Sequence, residues 1–473
     1  MEFNSLTFLV FFAIVLALHN LPFSWRAKKI NLLVASYVFY SAWNPPFVLL
    51  LMGATVVDWF AAQGLYQSKT EAGRKAWLLV TLVSNLGLLG CFKYGNFLLE
   101  NFSVMVRAFG MEYEPPKLDI ILPIGISFYT FVTLSYTLDV YFRKMKPWRS
   151  FLDYAMLVTF FPHLVAGPIL RAADFLPQCI EEHKPSREQF AWGLNLLVLG
   201  LFEKMVLADF LFAPVAEKVF NASAALSFTD AWLGVFAFAG QIFCDFAGYS
   251  TCAIGIAICL GFRFPVNFLF PYAALGFSDF WRRWHISLSS WLRDYLYVPL
   301  GGNRRGPVRT YVNLILTMLL GGLWHGASWT YVIWGGLHGT YLIGERVLKP
   351  FVRADRLWAR PYLEPLLALG TFLLVCVAWV FFRAPNLQVA TGLIHSMVGL
   401  TSPAAMLLSK KESLTIGVLI SGLLTVHWFM RNSSLETTGA GIPWRIRSLA
   451  FSAMLILVVI VPSASRAFIY FQF

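Results

Sequence analysis

Two histidines are set apart by their surroundings. His325 sits in "LLGGLWHGASWTYVIWGGLHG" (Leu319–Gly339), an apolar run with Trp324 before the ring and Gly321, Gly322 and Gly326 around it. An ionisable side chain in such a run is costly to bury and is a functional hypothesis by default. Imidazole titrates near neutrality, which suits it to take a proton from a hydroxyl as that hydroxyl attacks an activated acyl carbon. A neutral ring hydrogen-bonded to a neighbouring helix is the plainer alternative. The glycines serve either reading, since they let helices approach closely or leave room for a substrate beside the ring.

His285 lies 40 positions upstream, in "DFWRRWHISLSSWLRDYLYVPLGGNRRG" (Asp279–Gly306). Phe280, Trp284, Ser287 and Trp291 follow one another at spacings of four, three and four, which predicts one face of an amphipathic helix. Ser278 is placed to cap it, and Asp279 and Arg283 are spaced for an i,i+4 ion pair. Two readings fit this pattern. One is an interfacial helix with tryptophan anchors and snorkelling arginines. In the other, His285 lies against an active tunnel, with the arginines of the stretch near an anionic acyl donor.

Other polar residues are weaker candidates. His338 follows the same glycine-aromatic stretch and reads as a helix-packing partner. His163, in "FFPHLVAGPILR", is placed to line a cavity, while Asp245 and Asp139 border apolar runs where pairing with arginine or backbone would position a helix. His19, His395 and His427 are isolated, and His183 lies in a charged loop. The six cysteines fall mostly within apolar runs and form no Cys-x-x-Cys pair, so they read as packing residues rather than disulfide or metal ligands. The chain carries no Walker-type loop, Gly-x-Ser-x-Gly elbow or His-Glu-x-x-His pair, and no metal site is expected.

The elements that must hold these residues are membrane helices. Of 473 residues, 58% are hydrophobic and only 13% charged, against about 25% in soluble domains. Apolar windows long enough to span a bilayer or most of one occur at Phe8–Leu21, Ala76–Phe92, Ala191–Leu211, Trp232–Leu260, Leu363–Phe382 and Leu449–Val461. The net charge of +12 reflects basic residues clustered in short loops, at Arg26–Lys29, Lys69–Lys75, Arg143–Arg149 and Arg346–Arg360. This is positive-inside placement, not a nucleic-acid footprint. The loops belong on the cytoplasmic side and both termini outside, with about twelve crossings. Phe151–Arg171, broken by Pro162, Gly167 and Pro168, is expected to be re-entrant. Thr310–Glu345 is too short for two comfortable spans, so the tip at His325 is expected to stop inside the bilayer. No internal repeat is visible.

"SDFWRRWHISLSSWLRDYLYVPLGGNRRG" followed by "GGLWHGASWTYVIWGGLHG" resembles the membrane-bound O-acyltransferase (MBOAT) family, in its bacterial alginate O-acetyltransferase-like branch. "LPIGISFYTFVTLSYTLDVY", "FFPHLVAGPILR", "DFAGYSTCAIG", "GFRFPVNFLFPY", "VFFRA" and "FIYFQF" extend the match over most of the chain. The resemblance implies an all-α polytopic MBOAT fold of about 11–12 transmembrane helices, with re-entrant or interfacial pieces, around a central tunnel. That would be a single integral-membrane domain over 1–473: N-terminal helices in 1–118, a core in 119–345 with both histidines, and C-terminal helices in 346–473. It implies catalysis by His325 with His285 close by; Trp281, Arg282, Arg283, Trp284, Ser287, Trp324, Gly326, His163 and Asp245 are candidates for the tunnel wall and Arg304 and Arg305 for the donor's phosphates.

No bound cofactor is implied. Acetyl-CoA would be the cytoplasmic donor, and an extracytoplasmic SGNH-type partner within an exopolysaccharide-synthesis complex of the bacterial inner membrane would carry acetyl to a secreted glycan. Thr251 and Cys252 stand where the family usually has an acidic and an apolar residue, so alginate, cellulose and other glycans stay open as acceptors. A lipid-linked-sugar flippase, or a non-catalytic export scaffold, is the rival reading; a flippase would be expected to carry matched sites in two halves.

Overall fold

The computed structural model describes residues 1–116, 120–351, 362–402, 405–461, 466, 468 and 469. Among these the secondary structure is helical, with no strand. Among the described residues, five helices are long and apolar enough to cross a membrane: Pro46–Gln67, Glu71–Ala108, Phe228–Cys259, Glu364–Arg383 and Lys410–Met430. The chain is an all-α, multi-pass membrane protein, as its composition requires. Arg353, Arg356 and Arg360 of the last basic loop, and most of the terminal "FIYFQF", lie outside the described residues. Those that are described divide into two compact units, Met1–Leu197 with Cys252–Pro265, and Val198–Thr251 with Val266–Phe473.

The first unit opens with α1 (Leu6–Asn20), α2 (Trp25–Ser41), α3 (Pro46–Gln67) and α4 (Glu71–Leu89). Ser5, Ser24 and Thr70 cap α1, α2 and α4 by accepting from backbone amides of the first turn. A π-helical turn joins α4 to α5 (Gly95–Ala108), and α6 (Ile126–Tyr141) follows. Polar side chains lock α3, α4 and α6 together: Asn85 donates to both oxygens of the buried Asp58 at 2.9 and 2.8 Å, and Thr133 donates to the Asn85 carbonyl at 2.9 Å.

The segment expected to be broken is broken. α7 (Phe151–Thr159) ends at Phe160, and a single turn, α8 (Phe161–Leu164), restarts at Pro162, since proline suits a first turn and not a helix interior. All of Ala155–Leu170 is buried, as irregular backbone in a membrane protein must be. α9 (Ala172–Phe175) and α10 (Arg187–Leu201) complete the run. The returning piece Cys252–Pro265 packs Phe262 on Phe160 and Phe175, at ring separations of 4.9 and 5.4 Å, and the Arg263 amide donates to Gln178 at 2.8 Å.

The second unit begins with the end of α10, an 11-residue π-helical stretch (Phe202–Phe212) and α11 (Ala213–Phe220). Most of α12 (Phe228–Cys259) belongs to it and is largely buried. Then come α13 (Phe277–Arg283), α14 (Ile286–Leu292), α15 (Gly306–His325), α16 (Trp329–Phe351), α17 (Glu364–Arg383), α18 (Leu387–Met397), α19 (Lys410–Met430), α20 (Leu435–Gly441) and α21 (Trp444–Ile460). Its core is aromatic, with Trp284, Trp334 and Trp379 fully enclosed.

Three expectations change. The single amphipathic helix expected to carry Phe280, Trp284, Ser287 and Trp291 is two short helices, because the chain reverses handedness at His285 (φ 43°). The face was read correctly, since Phe280, Trp284, Ser287 and Trp291 are all buried. Ser278 is not the cap: α13 starts after Gly276 (φ 121°), and the Asp279 carboxylate accepts from the Leu275 amide at 3.0 Å. Finally, the α15–α16 hairpin is not short. Its arms run 20 and 23 residues, about 30 and 35 Å at 1.5 Å per residue, so a lack of chain no longer argues that the tip stops at mid-bilayer.

Candidate active site

The hairpin of α15 and α16 determines where His325 lies. A methyl at Gly322 would overlap the Tyr331 carbonyl oxygen and one at Gly335 the Met318 carbonyl oxygen, so both helices need glycine where they touch. A methyl at Gly326 would fall on the Tyr331 ring. The space beside Gly326 is therefore filled by Tyr331, and the glycines act in packing. His325 is the last residue of α15 and is buried. Its ring lies 4.9 Å from Trp324, 5.0 Å from Trp334 and 5.2 Å from Phe382, in each case edge-to-face.

His285 occupies the junction of α13 and α14 and has no solvent exposure. A left-handed backbone at a non-glycine residue costs about 1–3 kcal/mol and persists only where surroundings impose it. Phe246 of α12 packs perpendicular to its ring at 4.6 Å, and Trp324 lies at 6.3 Å. Trp324 thus touches both histidines, which come from separate elements and meet on one indole. Asn267 supplies the polar contacts. Its Oδ1 accepts from the Ser287 amide at 3.2 Å and from Ser287 Oγ at 2.9 Å, and lies 3.2 Å from His285 Nδ1.

Other expected residues take distinct places. Trp281 and Trp284 are buried in the same aromatic core, Trp281 at 5.8 Å from Trp334 and Trp284 at 4.9 Å from Trp379. Arg283 pairs with Asp279 at 2.9 Å, the expected i,i+4 bridge, and donates to the carbonyls of Leu269 and Arg431 at 3.3 and 2.8 Å. Its guanidinium ties three segments together. Arg282, Arg304 and Arg305 are exposed.

Asp245 bonds to Lys204 at 2.5 Å and accepts from the Ile469 amide at 2.7 Å, while Lys204 also holds Asp209 at 2.9 Å. His163 belongs to the first unit, where Nε2 donates to the Leu157 carbonyl at 2.9 Å. His338 is fully buried 4.8 Å from Trp334 and 5.1 Å from Trp281. Of the two departures from the usual motif, Thr251 donates to the Ala247 carbonyl at 2.8 Å within its own helix, and Cys252 contacts the Leu197 carbonyl at 3.5 Å.

Residue-level reading missed Asn267, Phe246 and Trp334 as neighbours of the histidines. Asn267 had a signal, a lone amide in the apolar "PVNFLF". His427, set aside as isolated, is buried and accepts from the Tyr272 amide at 3.2 Å. Five of the cysteines are buried, so most do pack; Cys91 is exposed.

The second unit thus gathers two buried histidines around one tryptophan, in an all-helical membrane scaffold. The chain belongs to the membrane-bound O-acyltransferase (MBOAT) family, whose sequence profile matches residues 21–383. It is an acyltransferase and takes its acyl group from a donor substrate. Among its relatives it is 43% identical to the probable alginate O-acetylase AlgI of Pseudomonas aeruginosa, over 91% of this chain and 81% of that protein. It is 39% identical to the peptidoglycan O-acetyltransferase of Helicobacter pylori, over 81% of this chain and 76% of that protein. A more distant similarity, at 26% identity over 55% of this chain and 68% of the other, is to the teichoic acid D-alanyltransferase of Bacillus subtilis.

Proposed function

We propose that this protein moves acetyl groups from cytoplasmic acetyl-CoA across the inner membrane for O-acetylation of a secreted exopolysaccharide, alginate or cellulose being examples. An extracytoplasmic SGNH-type partner receives the acetyl group. The observation that carries the reading is the meeting of His285 and His325 on Trp324 inside a buried aromatic core, in a chain similar along most of its length to an O-acetylase.

His325 acts as general base. It takes the proton of the incoming hydroxyl as the hydroxyl oxygen bonds to the acyl carbon; the carbon–sulfur bond then breaks, and the proton passes to the departing thiolate to give CoA thiol. His285 either positions the reacting groups or stabilises developing charge. The exposed Arg282, Arg304 and Arg305 meet the donor's phosphates from the cytoplasm, where positive-inside placement puts the basic loops and leaves both termini outside.

The test is purified protein in vesicles, given labelled acetyl-CoA, candidate partners and candidate glycans. Label is expected on the partner or glycan, and His325→Ala should abolish it while the protein remains in the membrane. Absence of transfer by the wild type with every acceptor offered sinks the proposal.

A further inference from the structure

We infer that Asn267 fixes which ring nitrogen of His285 carries the proton, and so determines what His285 can do. The inference rests on the proposed acetyl transfer. It starts from a donor that has no choice: the Ser287 amide, 3.2 Å from Asn267 Oδ1, can only donate. The Ser287 hydroxyl converges on the same oxygen at 2.9 Å, and Asn267 Nδ2 donates the other way, to Ser250 Oγ at 3.2 Å. The amide orientation is thereby set, with its oxygen facing His285 Nδ1 at 3.2 Å.

A carbonyl oxygen offers only lone pairs, so Nδ1 must bring the hydrogen. Neutral imidazole has a single N–H, so Nε2 carries the lone pair. Asn267 grips the neighbouring backbone as well, its carbonyl accepting from the Ile286 amide at 2.9 Å. One residue therefore holds both the left-handed turn and the ring placed on it. All four participants (Ser250, Asn267, His285 and Ser287) are buried, where a misplaced hydrogen-bond pattern is most expensive.

This assignment narrows the role of His285. In its neutral form Nε2 cannot donate to a developing oxyanion; it accepts. The ligand group that meets it is a hydrogen-bond donor, either the attacking hydroxyl or an amide N–H of the donor's pantetheine arm. Asn267 is a positioning residue, acting through the ring.

The test compares wild type, Asn267→Asp and Asn267→Leu in acetyl transfer from acetyl-CoA between about pH 5 and 9, together with side-chain ¹⁵N spectra of the histidines. Aspartate keeps an oxygen for the same three donors and adds a negative charge beside the ring. That charge favours imidazolium, so the acid limb of the kcat profile should move to higher pH by about one unit or more. Leucine removes the acceptor, and kcat should fall about 10–100-fold with the donor KM changed less than about threefold. The His285 signal should report Nδ1–H in the wild type and a mixture of tautomers in Asn267→Leu.

A purely structural Asn267 gives a different result: both variants lose thermal stability and rate together, the acid limb stays in place and the tautomer is unchanged. That outcome overturns the inference. Should Asn267→Leu not fold, the Asn267→Asp profile and the wild-type tautomer still decide it. Should the wild type fail to transfer acetyl, the proposed function falls, while the tautomer remains measurable.

Discussion

Single side chains in this protein are constrained by different kinds of neighbour, and substitution separates them. Gly322 faces backbone, the Tyr331 carbonyl oxygen, whereas Gly326 faces the Tyr331 ring. Overpacking of this kind costs about 1–3 kcal/mol. Both Gly322→Ala and Gly326→Ala should lower the thermal unfolding temperature in detergent. Adding Tyr331→Leu should restore the second and not the first, because a side chain can be shortened and a carbonyl cannot. Equal rescue of both would show that the hairpin relaxes by some other route. His325 and His285 stood out in the sequence by their surroundings, and the structure buries both. Asn267 was marked only as a lone amide in an apolar run; its contacts, with residues 17 to 20 positions away, are encoded by no local pattern.

Among the elements, the π-helical stretch Phe202–Phe212 carries the heaviest burden. It places Lys204 between Asp209 and Asp245, all three buried, and Asp245 is the neighbour of Phe246, which packs on His285. Removing one member of a buried ion cluster costs about 3–5 kcal/mol, because the remaining charge is left without a partner. Lys204→Met should therefore destabilise more than the triple variant Lys204→Met, Asp209→Asn, Asp245→Asn, as read by thermal unfolding. If the single change were the milder one, the cluster would not be acting as an ion triad.

Helix existence was readable from apolar run length, and the broken Phe151–Arg171 segment from its prolines. The break at His285 was not, because no proline or glycine marks it. A histidine in left-handed backbone is imposed by Asn267 and the surrounding core, and the helical spacing of Phe280, Trp284, Ser287 and Trp291 survives the break well enough to conceal it.

At the scale of the molecule, membrane character followed from composition, and family membership from ordered motifs spread along the chain. Both motif histidines belong to the second unit, and the polar network of Asp58, Asn85 and Thr133 to the first. The order in which the chain visits these units bears on how the protein is made. The first unit takes its last piece, Cys252–Pro265, from beyond a long excursion into the second, and that piece brings Phe262 and the Arg263 amide to Phe160, Phe175 and Gln178. A ribosome that has released only the first 197 residues has therefore delivered an unfinished unit. A gene cut after Leu197 should yield a fragment that is rapidly degraded in the cell, and supplying residues 198–473 from a second gene should protect it, as measured by pulse-chase. The protein's biosynthesis then has a natural waiting point, at which early helices must be held in the membrane until residue 265 has emerged.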